Sequence, residues 1–419
     1  MIPLINQKNR SLAALLFTVF LDMVGISVVI PILAPLFLIP SSGLLDASVG
    51  FSARAATLGF LLAAYPLAQF FGAPMLGALS DRHGRKKLLQ FSLLGTVLGW
   101  MVFAFGLGAH SIPLLFIGRI IDGLTGGNTS VALSAIADLS EEKEKARNFG
   151  LIGMVFGFGF IIGPFIGGKL ADPSVVSWFD FTTPIWFAAL LSAFNVLALT
   201  YLFKETSTTR VRTPLDALAG FRNIRKAFRM ANLRTMFVVV FLLAFGFNFF
   251  TTFFPVFLAE KFAFNQSRIG EMFGYIGFWI AFGQGVVTRA VSRRLEPKTV
   301  LLFSTALLGL TLPFLLLAPQ ASFLFLVLPF VAMFQALTYP NSTAIISNLS
   351  GKESQGEILG INQSVQSLAM AIPPIIAGFI VSININLPIL VASACTLLAW
   401  TVFALFYRRS AKAELFHEV

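Results

Sequence analysis

The stretch "GALSDRHGRKK", Gly77–Lys87, places four Lys and Arg side chains within six residues of an otherwise apolar chain. Hydrophobic residues make up 57% of the 419 residues, and charged residues make up only 12%. This composition is too apolar for a soluble domain with a polar surface, and it indicates a protein that lies in a lipid bilayer. The charged stretch therefore predicts a connection outside the membrane, between two membrane-spanning segments.

Apolar runs on both sides of this stretch predict twelve transmembrane helices, because a span needs about 20 predominantly apolar residues. The predicted spans are near residues 11–38, 52–79, 88–109, 111–138, 148–171, 182–203, 235–259, 268–288, 299–317, 322–349, 356–382 and 386–407. The first run is too long for a cleaved signal peptide, so we expect it to be the first span. The sequence thus predicts an all-α polytopic membrane protein.

The twelve spans fall into two halves of six, separated by a basic segment. The predicted division is an N-terminal bundle at 1–203, a cytoplasmic linker at 204–234 and a C-terminal bundle at 235–419. The halves repeat each other weakly, with Gly150 and Pro164 aligning with Gly360 and Pro374. Two pseudo-symmetric six-helix bundles predict a cavity near the bilayer midplane that opens alternately to each side.

The basic residues follow the positive-inside rule when both termini are cytoplasmic. All but five of the 30 Lys and Arg residues then lie in cytoplasmic segments. The exceptions are Arg54, Lys169, Lys261 and Arg268 on the far side and Arg119 within the membrane. Topology therefore explains most of the net charge of +11. It also argues against nucleic-acid binding, because the basic residues lie at helix ends and are not interleaved with exposed aromatic residues.

The quoted stretch resembles the signature loop of the major facilitator superfamily, Gly-x-x-x-Asp-Arg-x-Gly-Arg-Lys-Lys between the second and third helices. Three further stretches resemble the drug/proton antiporter branch, nearest to the tetracycline exporters: "FLDMVGISVVIPIL" at 20–33, "GRIIDGLTGG" at 118–127 and "GFGFIIGPFIGG" at 157–168. The resemblance implies a proton-driven transporter without a cofactor, in the bacterial inner membrane. We expect a monomer whose partners are the bilayer, protons and a small molecule.

The signature loop is predicted to act as a conformational latch on the cytoplasmic face. Its residues are Gly77, Asp81, Arg82, Gly84, Arg85 and Lys86. We expect Gly77 to permit close helix approach, Asp81 to accept from the N-terminal amides of a neighbouring helix, and the arginines to bridge carboxylates or helix C-termini. The alternative is that the loop is only a basic topology anchor.

Asp22 is the main candidate for proton coupling, because a carboxyl within an apolar span implies a function or a partner. Arg119 is the only Lys or Arg placed mid-membrane, and Asp122 follows on the same helical face. In the family, an arginine at the position of Arg119 is tied to proton transfer with the acid of the first helix. Asp122 stands where the broader family commonly has glutamine, so local neutralisation of Arg119 is an open alternative. The alternative for Asp22 is a neutral, hydrogen-bonded structural acid, and static ion pairing is the alternative to a proton relay formed by these residues.

The glycine-rich fifth span is predicted to pack closely and to mark an exporter, the latter by resemblance alone. Its residues are Gly157, Gly159, Gly163, Pro164, Gly167 and Gly168. Glycine-rich faces also occur in membrane bundles of other kinds, which leaves a purely structural role open.

Where tetracycline exporters carry acids in the third and ninth helices, this chain has Gly99 and Leu307. A drug–Mg²⁺ chelate is therefore disfavoured, and a hydrophobic or amphipathic solute is expected. Candidate cavity residues are Tyr65, Gln69, Asn128, Asn248, Gln284, Gln335, Tyr339, Asn341, Asn362 and Gln366. The alternative for each of these residues is that it forms a hydrogen bond between helices and does not contact a substrate. Proton-coupled uptake or export of a metabolite such as a siderophore is the alternative function.

Enzymatic function is disfavoured, because His83, His110 and His417 are scattered and no metal-ligand spacing or nucleophile–base pair emerges. Cys395 is the single cysteine, so the chain cannot form an internal disulfide. The sequence lacks a phosphate-binding loop, which argues against ATP as the energy source. A membrane receptor that transports nothing is the remaining alternative.

Overall fold

A computed structural model describes residues 7–140, 142–206, 218–230, 233–291, 293–349 and 355–417, and the regular structure within these ranges is helical. The first eight helices are α1 Gln7–Ser27, α2 Ile30–Leu38, α3 Phe51–His83, α4 Arg85–Gly108, α5 Ile112–Thr125, α6 Asn128–Leu139, α7 Glu142–Leu170 and α8 Thr183–Leu202. The others are α9 Ala219–Arg229, α10 Arg234–Phe262, α11 Gln266–Phe282, α12 Arg289–Val291, α13 Pro297–Thr311, α14 Leu324–Leu349, α15 Gln355–Ala371, α16 Pro373–Ile380 and α17 Leu387–His417.

Nine helical segments of the described ranges are long and apolar enough to cross a membrane. They are Lys8–Leu38, Phe51–His83, Arg85–Gly108, Thr183–Leu202, Arg234–Phe262, Pro297–Leu317, Ala321–Leu349, Gly360–Ile380 and Leu387–Leu405. The other three predicted spans also coincide with helices. The fourth is broken between α5 and α6, the fifth lies within α7, and the eighth continues from α11 into a π-helical turn at Gly283–Thr288. The predicted all-α membrane fold is confirmed.

The chain forms two compact units. The first contains Met1–Ala219 and Phe264–Gly277, and the second contains Gly220–Ala263 and Phe278–Val419. The predicted linker at 204–234 carries the helix α9, while its residues 207–217 and 231–232 lie outside the described ranges. The proposed domain bounds stay a prediction.

The core of the first unit lies between α1, α4, α6 and α8. Its most buried members include Leu15, Leu89, Val131, Ile136 and Leu199, each with no exposed surface. Because lipid tails are as apolar as these side chains, close packing rather than exclusion from water holds such helices together. Glycines allow this packing: a Cβ at Gly118 of α5 would lie 2.8 Å from the carbonyl oxygen of Gly99 in α4.

The start of α11 packs against the end of α7, within the first unit. A Cβ at Gly168 would lie 3.1 Å from the Cα of Gly270, and Lys169 Nζ lies 2.5 Å from Glu271 Oε1. Asp172 follows in the loop. Burial alone would raise the pKa of this carboxyl, but hydrogen bonds from Ser174 and Ser267 hold it below its ordinary value.

The second unit has a phenylalanine-rich core centred on α10. Phe249, Phe250, Phe253, Phe254 and Phe257 are each no more than 2% exposed. Neighbouring rings of α10 contact each other, and the rings of Phe250 and Phe254 are tilted by 38° with their centroids 4.8 Å apart. Such pairs add stability beyond the area that the rings bury.

Candidate functional site

Three of the buried ionisable side chains of the first unit lie on α1 and α5, and we call them the coupling cluster. Asp22 comes from the middle of α1, while Arg119 and Asp122 lie one turn apart on α5. Their exposed fractions are 6%, 5% and 3%. Charged groups at such positions in a membrane bundle are costly, so each needs a local partner or a function.

Asp22 and Arg119 have different partners in this structure. The side chain of Asn128, at the start of α6, lies next to the Asp22 carboxylate. The Arg119 guanidinium lies over the rings of Trp100 and Phe103 in α4, at 5.1 and 5.2 Å from the ring centroids. Cation–π contacts of this kind stabilise a desolvated guanidinium by about 2 kcal/mol.

The polar atoms of the cluster are incompletely satisfied. Arg119 Nε and Asp122 Oδ2 are buried without a hydrogen-bond partner. Within the described ranges, no carboxylate lies within ion-pair distance of Arg119. Asp22 and Arg119, which the family resemblance links in proton transfer, are therefore not paired here, and a contact between them in another conformation stays a prediction.

Tyr65 and Gln69 of α3 complete the surroundings of the cluster. Gln69 Nε2 donates to the Tyr65 hydroxyl at 3.2 Å and to the Gly126 carbonyl oxygen at 2.7 Å. A Cβ at Gly126 would lie 2.8 Å from the Tyr65 hydroxyl, and one at Gly123 would overlap the Tyr65 carbonyl oxygen. The glycines of "GRIIDGLTGG" thus let the end of α5 approach Tyr65.

The position of Gly99 explains why an acid is absent from this part of α4. A Cβ there would lie 2.8 Å from the Asp122 Cβ and 2.9 Å from the Gly118 carbonyl oxygen. A carboxylate side chain would require α4 and α5 to separate. Leu307, the other position that differs from the tetracycline exporters, is 43% exposed.

The signature loop forms charged contacts that connect α3, α4, α6 and the end of α8. Arg85 Nη1 lies 2.6 Å from Asp81 Oδ1, and Arg85 Nε lies 3.0 Å from Asp138 Oδ2 at the end of α6. The predicted bridging of carboxylates by Arg85 is thus observed. Lys86 Nζ donates to the Thr200 carbonyl oxygen at 2.8 Å, near the C-terminus of α8. Arg82 is half-buried beside them.

Glu205 binds the N-terminus of α4, the role that the sequence assigned to Asp81 for a neighbouring helix. Its two carboxylate oxygens accept from the backbone amides of Arg85 at 2.9 Å and Lys86 at 3.1 Å. These amides have no partner inside the helix, and a negative charge there is also favoured by the helix dipole. Asp81 instead accepts from the Arg85 side chain.

The two glycines of the loop have different roles. Gly84 has a φ of +100°, and a Cβ there would overlap the Glu205 carboxylate, so both backbone and space require glycine. The role predicted for Gly77 is corrected: a Cβ there would meet no described atom within 4 Å. In this structure Gly77 does not lie at a close helix approach.

Glu205 and Asp138 were missed by the sequence analysis. Glu205 lies 120 residues after its partner Arg85, among the basic residues of the predicted linker. Asp138 lies in "IADLS" at 136–140, a stretch that resembles "ISNLS" at 346–350 of the second half and gave no signal of an ion pair. The only sequence feature that could have identified Glu205 is its position, as an acidic residue just after the sixth predicted span.

Removing the Glu205 carboxylate should loosen the start of α4. Loss of a helix cap costs about 1 kcal/mol, so we expect amide exchange in the first turn of α4 to be about fivefold faster in Glu205→Ala. Hydrogen exchange of peptides covering residues 84–92 measures this. Glu205→Gln keeps one acceptor oxygen and loses the charge, and it is the matched control, with a smaller expected change. Equal exchange in wild type and Glu205→Ala would contradict the capping role.

The glycine-rich face of α7 packs directly on α1. A Cβ at Gly159 would lie 2.5 Å from the Met23 Cβ, and one at Gly163 or Gly167 would overlap Ser27 or the Val28 carbonyl oxygen. The predicted close approach is observed at these glycines and at Gly168. Gly157 is half-buried, and Pro164 lies inside the helix. The link between this motif and export stays a prediction.

The cavity candidates of the second unit form hydrogen bonds both between helices and within a helix. Asn248 Nδ2 donates to the Met370 carbonyl oxygen at 2.6 Å, and Asn341 Nδ2 to the Leu337 carbonyl oxygen at 2.7 Å. The Tyr339 hydroxyl donates to Gln366. Asn362 Oδ1 is buried and has no hydrogen-bond partner.

Two further candidates, Gln284 and Gln335, are half-buried. Gln284 lies in the π-helical turn, a feature that is frequent at functional sites. A role of any of these residues in substrate binding stays a prediction.

Membrane-spanning helices together with a cluster of buried charged side chains are typical of a secondary transporter. The chain belongs to the Major Facilitator Superfamily, whose family model matches residues 15–331 and 236–418. Proteins of this family are transporters that span the bilayer.

Individual relatives extend over nearly the whole chain. The chain is 31% identical to the class C tetracycline resistance protein of Escherichia coli, covering 96% of this chain and 95% of that protein. It is 27% identical to Multidrug resistance protein 2 of Bacillus subtilis (strain 168), covering 93% of each. The crystal structure of the human organic anion transporter MFSD10 shares the fold, with a TM-score of 0.73 and 21% identity over 94% of this chain and 99% of that chain.

Proposed function

We propose that the protein is a proton-coupled exporter of hydrophobic or amphipathic small molecules, working by alternating access. The observation that carries this proposal is the coupling cluster, in which two buried carboxylates accompany one guanidinium. With all three groups ionised the cluster has one uncompensated negative charge. Binding of one proton removes that charge, so protonation and deprotonation change the electrostatic cost of burying the cluster.

In the proposed cycle, Asp22 holds the transported proton and Arg119 responds to its charge. When Asp22 is neutral, it stays beside the Asn128 amide, and Arg119 stays over the rings of Trp100 and Phe103. When Asp22 is ionised, attraction to Arg119 favours the direct contact that is absent here. A switch between these two arrangements would couple the proton to the conformation of the transporter.

The proposed substrate class follows from the two positions at which the tetracycline exporters carry acids. Gly99 and Leu307 supply no carboxylate, which disfavours a metal chelate, whereas phenylalanine is abundant with 47 residues in the chain. The relatives named for tetracycline and multidrug resistance support export of drug-like solutes. We place the protein in the bacterial inner membrane as a monomer with both termini in the cytoplasm, without a bound cofactor.

Everted membrane vesicles test this function. With an imposed proton gradient, a lipophilic cationic dye should accumulate in the vesicles and release protons, whereas tetracycline with Mg²⁺ should give a much smaller response. The class C tetracycline resistance protein is the matched control for the second substrate. Dye accumulation that is unaffected by a protonophore would contradict proton coupling, and a larger response to the chelate than to the dye would contradict the substrate class.

A further inference from the structure

The helix α9 is distinct from the transport spans because it is short, strongly basic and directly precedes one of them. It carries Arg222, Arg225, Lys226 and Arg229 and no acidic residue. Its last residue, Arg229, is followed five residues later by Arg234, where the span α10 begins. The helix is therefore tethered next to the membrane surface.

One face of α9 is anchored on the second unit. Gly220 and Ala227 are buried, and Ile224 packs against the core of that unit. Asn223 Nδ2 donates to Ser364 Oγ of α15 at 3.1 Å. These contacts fix the rotation of α9 about its axis, and so determine which side chains it presents away from the unit.

The adjoining faces carry exposed phenylalanines next to exposed arginines. Phe221 and Phe228 are 50% and 52% exposed, and their spacing of seven residues places them on the same side of the helix. Arg225 and Arg229 are exposed one turn apart beside them. Within the described ranges neither arginine has an ion-pair partner.

We propose that α9 is an interfacial helix that binds anionic phospholipids in the leaflet next to it. Phe221 and Phe228 insert at the boundary between headgroups and acyl chains, while Arg225 and Arg229 contact lipid phosphates. A basic face beside an apolar flank is the composition of helices that lie in the membrane interface. The exposed positive charge of Arg225 and Arg229 selects negatively charged lipids over zwitterionic ones.

The expected size of the effect follows from the attraction of each basic residue to an anionic surface, which is about fivefold in binding for each Lys or Arg. Removing Arg225 and Arg229 should therefore weaken the preference for anionic lipid by roughly 25-fold. High salt should weaken it as well, because the screening length falls from about 8 Å at 0.15 M to about 3 Å at 1 M.

The full-length protein in nanodiscs allows a direct test with a neutral, water-soluble maleimide. Cys395→Ser removes the native cysteine, and Phe228→Cys places a reporter on the apolar flank of α9. Nanodiscs contain phosphatidylcholine alone or phosphatidylcholine with phosphatidylglycerol. Leu295→Cys is the matched reporter control, because Leu295 is 48% exposed but lies outside α9.

We expect labelling of the Phe228→Cys reporter to be at least about fivefold slower with phosphatidylglycerol. Arg225→Gln with Arg229→Gln should remove this protection, whereas Arg293→Gln with Arg294→Gln, the same charge loss in another exposed segment, should keep it. Salt should restore labelling in the reporter protein that retains all arginines, a readout that does not depend on the folding of the double variants.

Three results would overturn the proposal. Equal labelling in both lipid mixtures would show that α9 does not recognise anionic lipid. Protection in both mixtures that persists in high salt would show that protein, rather than lipid, covers this face. Equal loss of protection in the two double variants would show that the overall charge of the chain, rather than the arginines of α9, causes the protection.

Discussion

Asp22→Asn should reduce proton-driven substrate accumulation to the background of vesicles that lack the protein. Asparagine has nearly the same shape and is compatible with the neighbouring Asn128 amide, but it cannot bind and release a proton near neutral pH. A neutral side chain also costs less to bury than a carboxylate, so folding and insertion should be preserved. Counterflow exchange, which needs no proton gradient, should survive. Everted vesicles with an imposed gradient measure the first activity, and preloaded vesicles measure the second.

The controls for Asp22→Asn separate the coupling acid from acids in general. Asp46→Asn makes the same change in an exposed loop, where the carboxylate accepts from Ser48, and it should leave transport unchanged. Asp122→Asn tests the other buried acid. Full accumulation by Asp22→Asn together with loss in Asp122→Asn would transfer the coupling role to Asp122, and full accumulation by both variants would exclude the cluster.

The architecture was predictable because bilayer thickness constrains span length so strongly. Each predicted span coincides with helical structure, including the span broken at Gly126 and Gly127, whose apolar content still indicated a crossing. Buried charge was also a usable signal, because Asp22 and Arg119 are costly wherever they lie in an apolar helix. Their positions in the chain therefore identified the cluster before their neighbours were known.

The partners of these charges were not predictable, because they depend on helix rotation and on contacts distant in sequence. Arg119 lies over Trp100 and Phe103, and aromatic residues are too common in this chain for two of them to stand out. The contact of Glu205 with the start of α4 depends on the fold of the whole first unit. A pattern of residue types shows which groups need partners, and packing decides which partners they find.

Gly167→Ala and Gly77→Ala form a matched pair with opposite expected outcomes. Both glycines lie inside helices, where alanine is intrinsically favoured by up to about 1 kcal/mol. At Gly167 the added methyl group would overlap the Val28 carbonyl oxygen and push α7 away from α1. Overpacking of this kind costs about 1–3 kcal/mol, and both backbones here are constrained by further glycine contacts at Gly159 and Gly163. We expect a large loss of folded protein.

At Gly77 the added methyl group meets open space, so Gly77→Ala should keep the yield and melting temperature of wild type. Size-exclusion chromatography of detergent-extracted protein after graded heating measures both variants. A normal melting temperature for Gly167→Ala would contradict the close contact between α1 and α7.

A transport assay of Gly77→Ala tests whether Gly77 permits a close helix approach in another conformation. If Gly77→Ala folds normally but no longer transports, the close approach predicted from the signature loop forms in a conformation other than the one described here. If transport is also normal, the loop acts through its charged residues and Gly84 alone.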